Sequence, residues 1–135
     1  MCKLPDMSKV SDLVGAPFEY GGRGPKSYDC YGLVKEVYAR SDIQLQDYMT
    51  PCKKDDPFRF AKFARSIDDR LFQWKKIDKP LIGCVVRLKV FGYSCHLGIV
   101  TKYQKMYHAW DLSGGVIRED LKNWERRILG YYVYE

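Results

Sequence analysis

Tyr28-Asp29-Cys30-Tyr31-Gly32, continued by Leu33-Val34, sets a cysteine at the junction of a glycine-rich run and a helical pattern. On its N-terminal side, Gly21-Gly22-Arg23-Gly24-Pro25 is turn chemistry that cannot continue a helix or a central strand. On its C-terminal side, Leu33, Val34, Val37 and Tyr38 recur at helical spacing, with no Gly or Pro from Leu33 to Thr50. The junction predicts a helix running to about Arg40, with Asp29 as its N-cap and Cys30 at its head. A thiol in that position feels the unpaired N–H groups and the positive end of the helix, which favour thiolate over thiol. It is a suitable place for a nucleophile.

The totals bound the rest. A chain of 135 residues reads as one domain, 1–135, large enough to bury a core without staples. Hydrophobic residues at 46% and charged residues at 30% exclude a disordered chain, and the 15% aromatic share suits a cleft as well as a β-rich core. Five cysteines, scattered and without a C-x-x-C pair, argue against a disulfide framework and a zinc ribbon. Cys2, Cys52, Cys84 and Cys95 read as small residues or buried thiols. The net charge of +6 is compatible with nucleic acid, an anionic membrane or an anionic polymer such as bacterial cell wall. The basic residues are not clustered, however: Lys53-Lys54 is followed by Asp55-Asp56, and Lys75-Lys76 by Asp78. That is a solvated surface of mixed sign, and no nucleic-acid partner is expected from it. The first residues lack the apolar core of a signal peptide and no run is long enough to span a membrane. The chain is expected to be cytoplasmic when synthesised.

In chain order, Met7 to Val14 predicts a short helix capped by Ser8 or Ser11, with Val10, Leu13 and Val14 inward. Phe18-Glu19-Tyr20 reads as extended. Asp42 to Lys54 is turn-like, broken at Pro51, and Asp56-Pro57 signals a helix start with Phe58, Ala61, Phe63 or Ala64, and Ile67 inward. After Pro80 the period changes to two. Strands are predicted for Cys84–Val90, Cys95–Lys102, Met106–Trp110, Val116–Arg118 and Ile128–Tyr134, with Glu119 to Trp124 as a helical turn. Helices followed by an antiparallel meander of about five strands is an α+β layout.

Only two histidines occur, His96 and His108, twelve positions apart and both in the predicted sheet. Neighbouring antiparallel strands can bring such a pair to one face. Cysteine attack on an amide needs a base for the thiol proton and a third polar group to orient that base. Cys30, His96 and His108 supply one of each. The same three residues are also a conceivable zinc set, short of a fourth ligand and with long spacings.

Tyr20-Gly21-Gly22 followed by Tyr28-Asp29-Cys30-Tyr31-Gly32-Leu33-Val34 resembles the signature of the NlpC family of papain-like cysteine peptidases. His96-Leu97-Gly98-Ile99-Val100 resembles that family's histidine strand, Tyr107-His108-Ala109 its third catalytic position, and Gly114-Gly115-Val116 the segment after it. The resemblance runs from about Val14 to Trp124, with three blocks in order. It implies a papain-like α+β fold, Cys30 as nucleophile, His96 as general base and acid, and His108 as the orienting residue. It further implies Tyr20, Asp29 and Tyr31 at the substrate or oxyanion site, with Asp29 capping rather than catalytic, and the Cys30 N–H as an oxyanion donor. The implied substrate is a bacterial peptidoglycan stem peptide, cut between γ-D-glutamate and the diamino acid, with no metal or other cofactor.

Asp-Cys-Tyr-Gly-Leu-Val, with Val37-Tyr38 behind it, is similar to the subgroup found in phage and prophage tails. Two departures stand out. Gly83-Cys84 occupies the place of the family's usual Gly-Asp pair, and Asp42 to Lys79 forms a long aromatic insertion. Cysteine before histidine separates the chain from permuted acyltransferase relatives. Two other readings remain open: a tail assembly component that keeps the fold, bound to tail proteins, and an antibacterial effector amidase with an inhibitor partner.

Overall fold

The computed structural model describes residues 2–47 and 53–135; the expected break at Pro51 and the Cys52 thiol lie outside them. Helix α1, Cys30–Ala39, starts where the sequence predicts because Asp29 accepts a 2.7 Å hydrogen bond from the Gly32 N–H. That bond satisfies one of the donors that a first turn cannot pair internally. Nearly the whole helix is buried, with Leu33, Val34, Val37 and Tyr38 in the core. The glycine-rich loop is pressed against its first turn: the Asp29 N–H donates to Gly22 O at 3.1 Å. A Cβ on Gly32 would lie 2.0 Å from that same oxygen.

Six antiparallel strands form one sheet in the order β1-β6-β2-β3-β4-β5. They are β1 Trp74–Ile77, β2 Val85–Val90, β3 Tyr93–Thr101, β4 Lys105–Trp110, β5 Gly115–Asp120 and β6 Ile128–Tyr134. The five expected strands are present, and β1 is a sixth. It escaped the sequence reading because it is a short edge strand whose Lys75 and Lys76 are exposed, so no alternation marks it. The other edge, β5, is longer than expected and takes in Glu119; the helical turn begins only at Leu121 and is a 3-10 segment, Leu121–Arg127.

The second helix, α2, spans Arg59–Arg70 and starts two residues beyond the Asp56-Pro57 signal. Asp56 still caps, accepting from the Phe58 N–H at 2.9 Å, but it closes a turn before the helix and leaves Phe58 66% exposed rather than inward. Phe63, Ala64 and Ile67 do face the core. A buried cation fastens this helix to the sheet. Arg87 of β2 bonds Ala64 O on α2, Ser94 O and Oγ on β3, and Asp68 Oδ1 at 2.8 Å. Near the N-terminus the expected helix is two 3-10 turns, Met7–Lys9 and Ser11–Leu13. Asp6, rather than a serine, caps the first, and Val14 is exposed while Met7, Val10 and Leu13 are buried.

Gly32→Ala tests the loop–helix contact, because propensity and packing disagree on its sign. Alanine in a helix should stabilise by about 0.5–1 kcal/mol. Collision with a backbone oxygen should cost about 3 kcal/mol or more. Urea unfolding is expected to show a large net loss; a gain in stability would mean that the loop is not held there.

Candidate active site

Cys30 and His96 meet in a cavity of about 260 Å³. Its walls are the head of α1, the first turns of α2 with Arg59, Phe60 and Phe63, and the β2–β3 hairpin with Val90, Phe91 and Cys95. The β4–β5 turn with Trp110, Asp111 and Leu112 closes it, and Phe18 and Tyr20 enter from the segment before the glycines. Phe60 and Phe91 pack ring to ring at 5.3 Å, so the helix and the hairpin touch over one end.

Behind His96 the polar groups form a line. His96 Nε2 lies 2.8 Å from His108 Nδ1, and His108 Nε2 lies 2.8 Å from Glu119 Oε1. Glu119 also accepts from Trp124 Nε1 at 2.9 Å and from Asn123 Nδ2 at 3.2 Å. Strand register produces the line. Val100 pairs with Met106 and Met106 with Glu119, and side chains two apart share a face, so His96, His108 and Glu119 all lie on one side of the sheet. The facing ring nitrogens are each other's partners and the remaining nitrogen of His108 bonds Glu119, so His108 has no ring nitrogen left for the zinc set considered above.

Tryptophans surround this pair. Trp124 is 5.6 Å from His96 and 5.4 Å from His108 between ring centroids, and Trp110 is 6.0 Å from His96. Arg127 lies over Trp124 at 3.8 Å. Burial, with His108 and Arg127 adding to it, holds His96 well below the usual histidine range. Burial also lowers His108, although the Glu119 bond opposes it. Burial would raise Glu119, but the bonds from Trp124, His108 and Asn123 outweigh it and hold the carboxylate below its ordinary value.

The other expected site residues divide. Tyr20 lines the cavity; its hydroxyl donates to Asp111 Oδ2 at 3.2 Å and accepts from Arg59 Nε at 3.4 Å. Asp29 borders the cavity, but its carboxylate is committed to the Gly32 N–H and to Arg23 at 2.6 Å. Tyr31 does not line this cavity. One residue on from Cys30 is a rotation of about 100° around the helix, and its hydroxyl donates instead to Gln46 O at 2.5 Å. Cys95 lies in the cavity wall beside His96, yet burial pushes its thiol up to about 11, as it does for Cys84. Cys2, Cys30, Cys84 and Cys95 are all unbridged.

Glu119, Arg59, Asp111 and Trp124 were not singled out from the sequence. A strand carried two residues past Arg118 would have put Glu119 on the face of Ile117, which pairs with His108.

Residues 15–133 match the NlpC/P60 family. The chain belongs to that family. Among curated proteins there is no match. Among solved structures, NlpC1 from Trichomonas vaginalis is similar at 18% identity and a TM-score of 0.68, over 95% of this chain and 41% of that one. The P60 domain of antigen MAP1204 from M. avium subspecies paratuberculosis is similar at 15% identity and a TM-score of 0.64, over 95% and 90%. The NlpC/p60 domain of the peptidoglycan hydrolase SagA is similar at 13% identity and a TM-score of 0.59, over 96% and 94%. This chain thus spans about two fifths of the Trichomonas protein and nearly all of the two isolated domains. The likeness is one of fold: two α-helices packed on a six-stranded antiparallel sheet, within the described residues. No helix among them is long and apolar enough to cross a membrane.

The lowered histidines make stability pH-dependent in a set direction. Below the ordinary value of 6.5 the unfolded chain takes up protons that native His96 and His108 resist, so stability is full above that pH and falls as pH drops through it. Urea midpoints should decrease from about pH 7.5 to about pH 5.5, and the slope should flatten in His96→Gln. An increase on acidification would contradict the buried, neutral pair.

Proposed function

We propose that this chain is a cysteine peptidase or amidase that hydrolyses bacterial peptidoglycan stem peptides, at the γ-D-glutamyl to diamino-acid bond. The observation that carries the reading is that Cys30 and His96 line one cavity, with the far nitrogen of His96 held by His108. His96 takes the Cys30 thiol proton as Sγ attacks the scissile carbonyl carbon, and then delivers it to the leaving amine. The product is a thioester. Water, deprotonated by His96, attacks it, and the returning proton regenerates the thiol. The oxyanion is received by the Cys30 N–H, in the first turn of α1, where N–H groups point out of the helix. The raised thiol of Cys95 suits it poorly to compete as nucleophile.

We read residues 1–135 as a single domain in which the 42–79 insertion supplies α2, and with it one wall of the cavity. Arg59 on that wall sets a cation among the aromatic rings of Phe18, Tyr20, Phe60 and Phe91, opposite the Asp111 carboxylate, for a peptide rich in carboxylates. The proposed setting is a phage or prophage tail, supported by the Asp29-to-Val34 motif; the effector reading differs in delivery and in its inhibitor partner.

Mass spectrometry of muropeptides is the test. Wild type should release fragments split after D-glutamate, and Cys30→Ala should lower the rate by at least about 10³-fold. Equal digestion by both proteins would refute the mechanism, and no products from either would favour a role in assembly. Arg59→Gln should raise KM severalfold and leave kcat within about twofold; an unchanged KM would remove Arg59 from substrate contact.

A further inference from the structure

Glu119 is an ionisable group that this mechanism leaves unused, although it closes the line of bonds leading away from His96. It stands on the edge strand β5, diagonally across from His108 on β4, with a side chain that is 26% exposed against a His108 side chain that is fully buried. Its carboxylate is held on three sides: by His108 Nε2, by the Trp124 indole N–H and by the Asn123 amide. A surface glutamate with ordinary freedom would not collect three partners, two of them, His108 and Trp124, buried.

We propose that Glu119 is a positioning residue that sets the protonation pattern of both histidines and makes the site a four-member chain, Cys30–His96–His108–Glu119. The consequence for catalysis rests on the peptidase reading; the proton pattern does not. An ionised carboxylate only accepts hydrogen bonds, so the proton between Glu119 and His108 belongs to His108 Nε2. A neutral His108 then has a bare Nδ1, and the proton in its 2.8 Å contact with His96 must sit on His96 Nε2. Neutral His96 is left with a bare Nδ1, the one ring nitrogen able to receive the Cys30 proton.

Without the carboxylate, His108 could carry its proton on Nδ1 and donate it to His96. The His96 proton would then move to Nδ1, and the ring could no longer act as base toward Cys30. The carboxylate has a second effect once His96 is protonated. Its negative charge, relayed through His108, opposes the positive Arg127 that lies against the same pair from the Leu121–Arg127 segment. Trp110 and Trp124, whose rings pack on the two imidazoles, carry no charge, and the cavity that His96 lines also holds Asp29, Cys30, Arg59, Cys95 and Asp111.

Two measurements test this. The chain holds only two histidines, so a long-range ¹H–¹⁵N spectrum of histidine-labelled wild type contains two rings. Both should be Nε2–H tautomers at neutral pH; an Nδ1–H form of His108 overturns the proposal even if every variant fails to fold. The second is the pH profile of Cys30 alkylation by iodoacetamide, followed on the Cys30 peptide because the exposed Cys2 also reacts. Glu119→Gln should shift the profile to higher pH and lower kcat by about 10²-fold with KM little changed, and Glu119→Asp should recover part of both. A purely structural role would move the melting temperature and leave both profiles alone. An unshifted alkylation profile in a folded Glu119→Gln overturns the proposal, whether or not the wild type is active. A shifted profile in Glu119→Gln, alongside a wild type that leaves muropeptides intact, supports the positioning role and overturns the peptidase reading instead.

Discussion

The structure depends on one close approach, that of the Gly22 carbonyl to the first turn of α1. Gly32 has no side chain, so the loop can lie where a Cβ would stand. The Asp29 N–H and the Asp29 carboxylate then fix the two sides of the junction, one to the loop and the other to the helix. Arg23 locks the same carboxylate from the loop side and reaches Asp47 beyond it. Burial raises Asp29 despite this cation, so the group sits under opposing pulls from its surroundings and its partner. Cys30 is exposed to the cavity as a result of how its neighbours are tied, and little about its own side chain is needed to put it there.

The sheet makes the complementary contribution. Three adjacent strands each present one polar side chain on the same face, and the two inner ones are sealed by tryptophan. Desolvation makes a charge on either histidine costly, while the carboxylate at the rim offsets part of that cost. Moving any strand by one residue would send its member of the line to the opposite face. The tight turns at Phe91-Gly92 and at Tyr103-Gln104, all with positive φ, therefore hold register for the site as well as for the fold.

Much of this was legible in the chain. The loop-to-helix junction carries local signals, namely glycines, a capping aspartate and helical spacing, and such signals survive without tertiary information. The histidine strands were legible because β-branched alternation marks strands that are half or wholly buried. What was missed lies where local signals end. β1 is an edge strand with exposed lysines, and Glu119-Asp120 looks like the start of a turn because acidic residues are poor strand formers. Arg59 comes to the cavity through Arg87, which anchors α2 across a long stretch of sequence that no periodicity spans. Tyr31 follows the nucleophile in sequence, yet one step along the helix turns its hydroxyl away to Gln46 O, a direction that no motif prints.

The tryptophan cage has an optical consequence. Two of the three tryptophans lie within about ring-contact distance of the histidine pair, and the third, Trp74, stacks between Tyr38 and Tyr134 on the far edge of the sheet. An imidazolium quenches a neighbouring indole far more strongly than a neutral imidazole does. The protein thus carries its own fluorophores against its most protonation-sensitive groups, with a distant one of the same kind as internal reference. Its emission is a direct view of the charge on the pair, without any label.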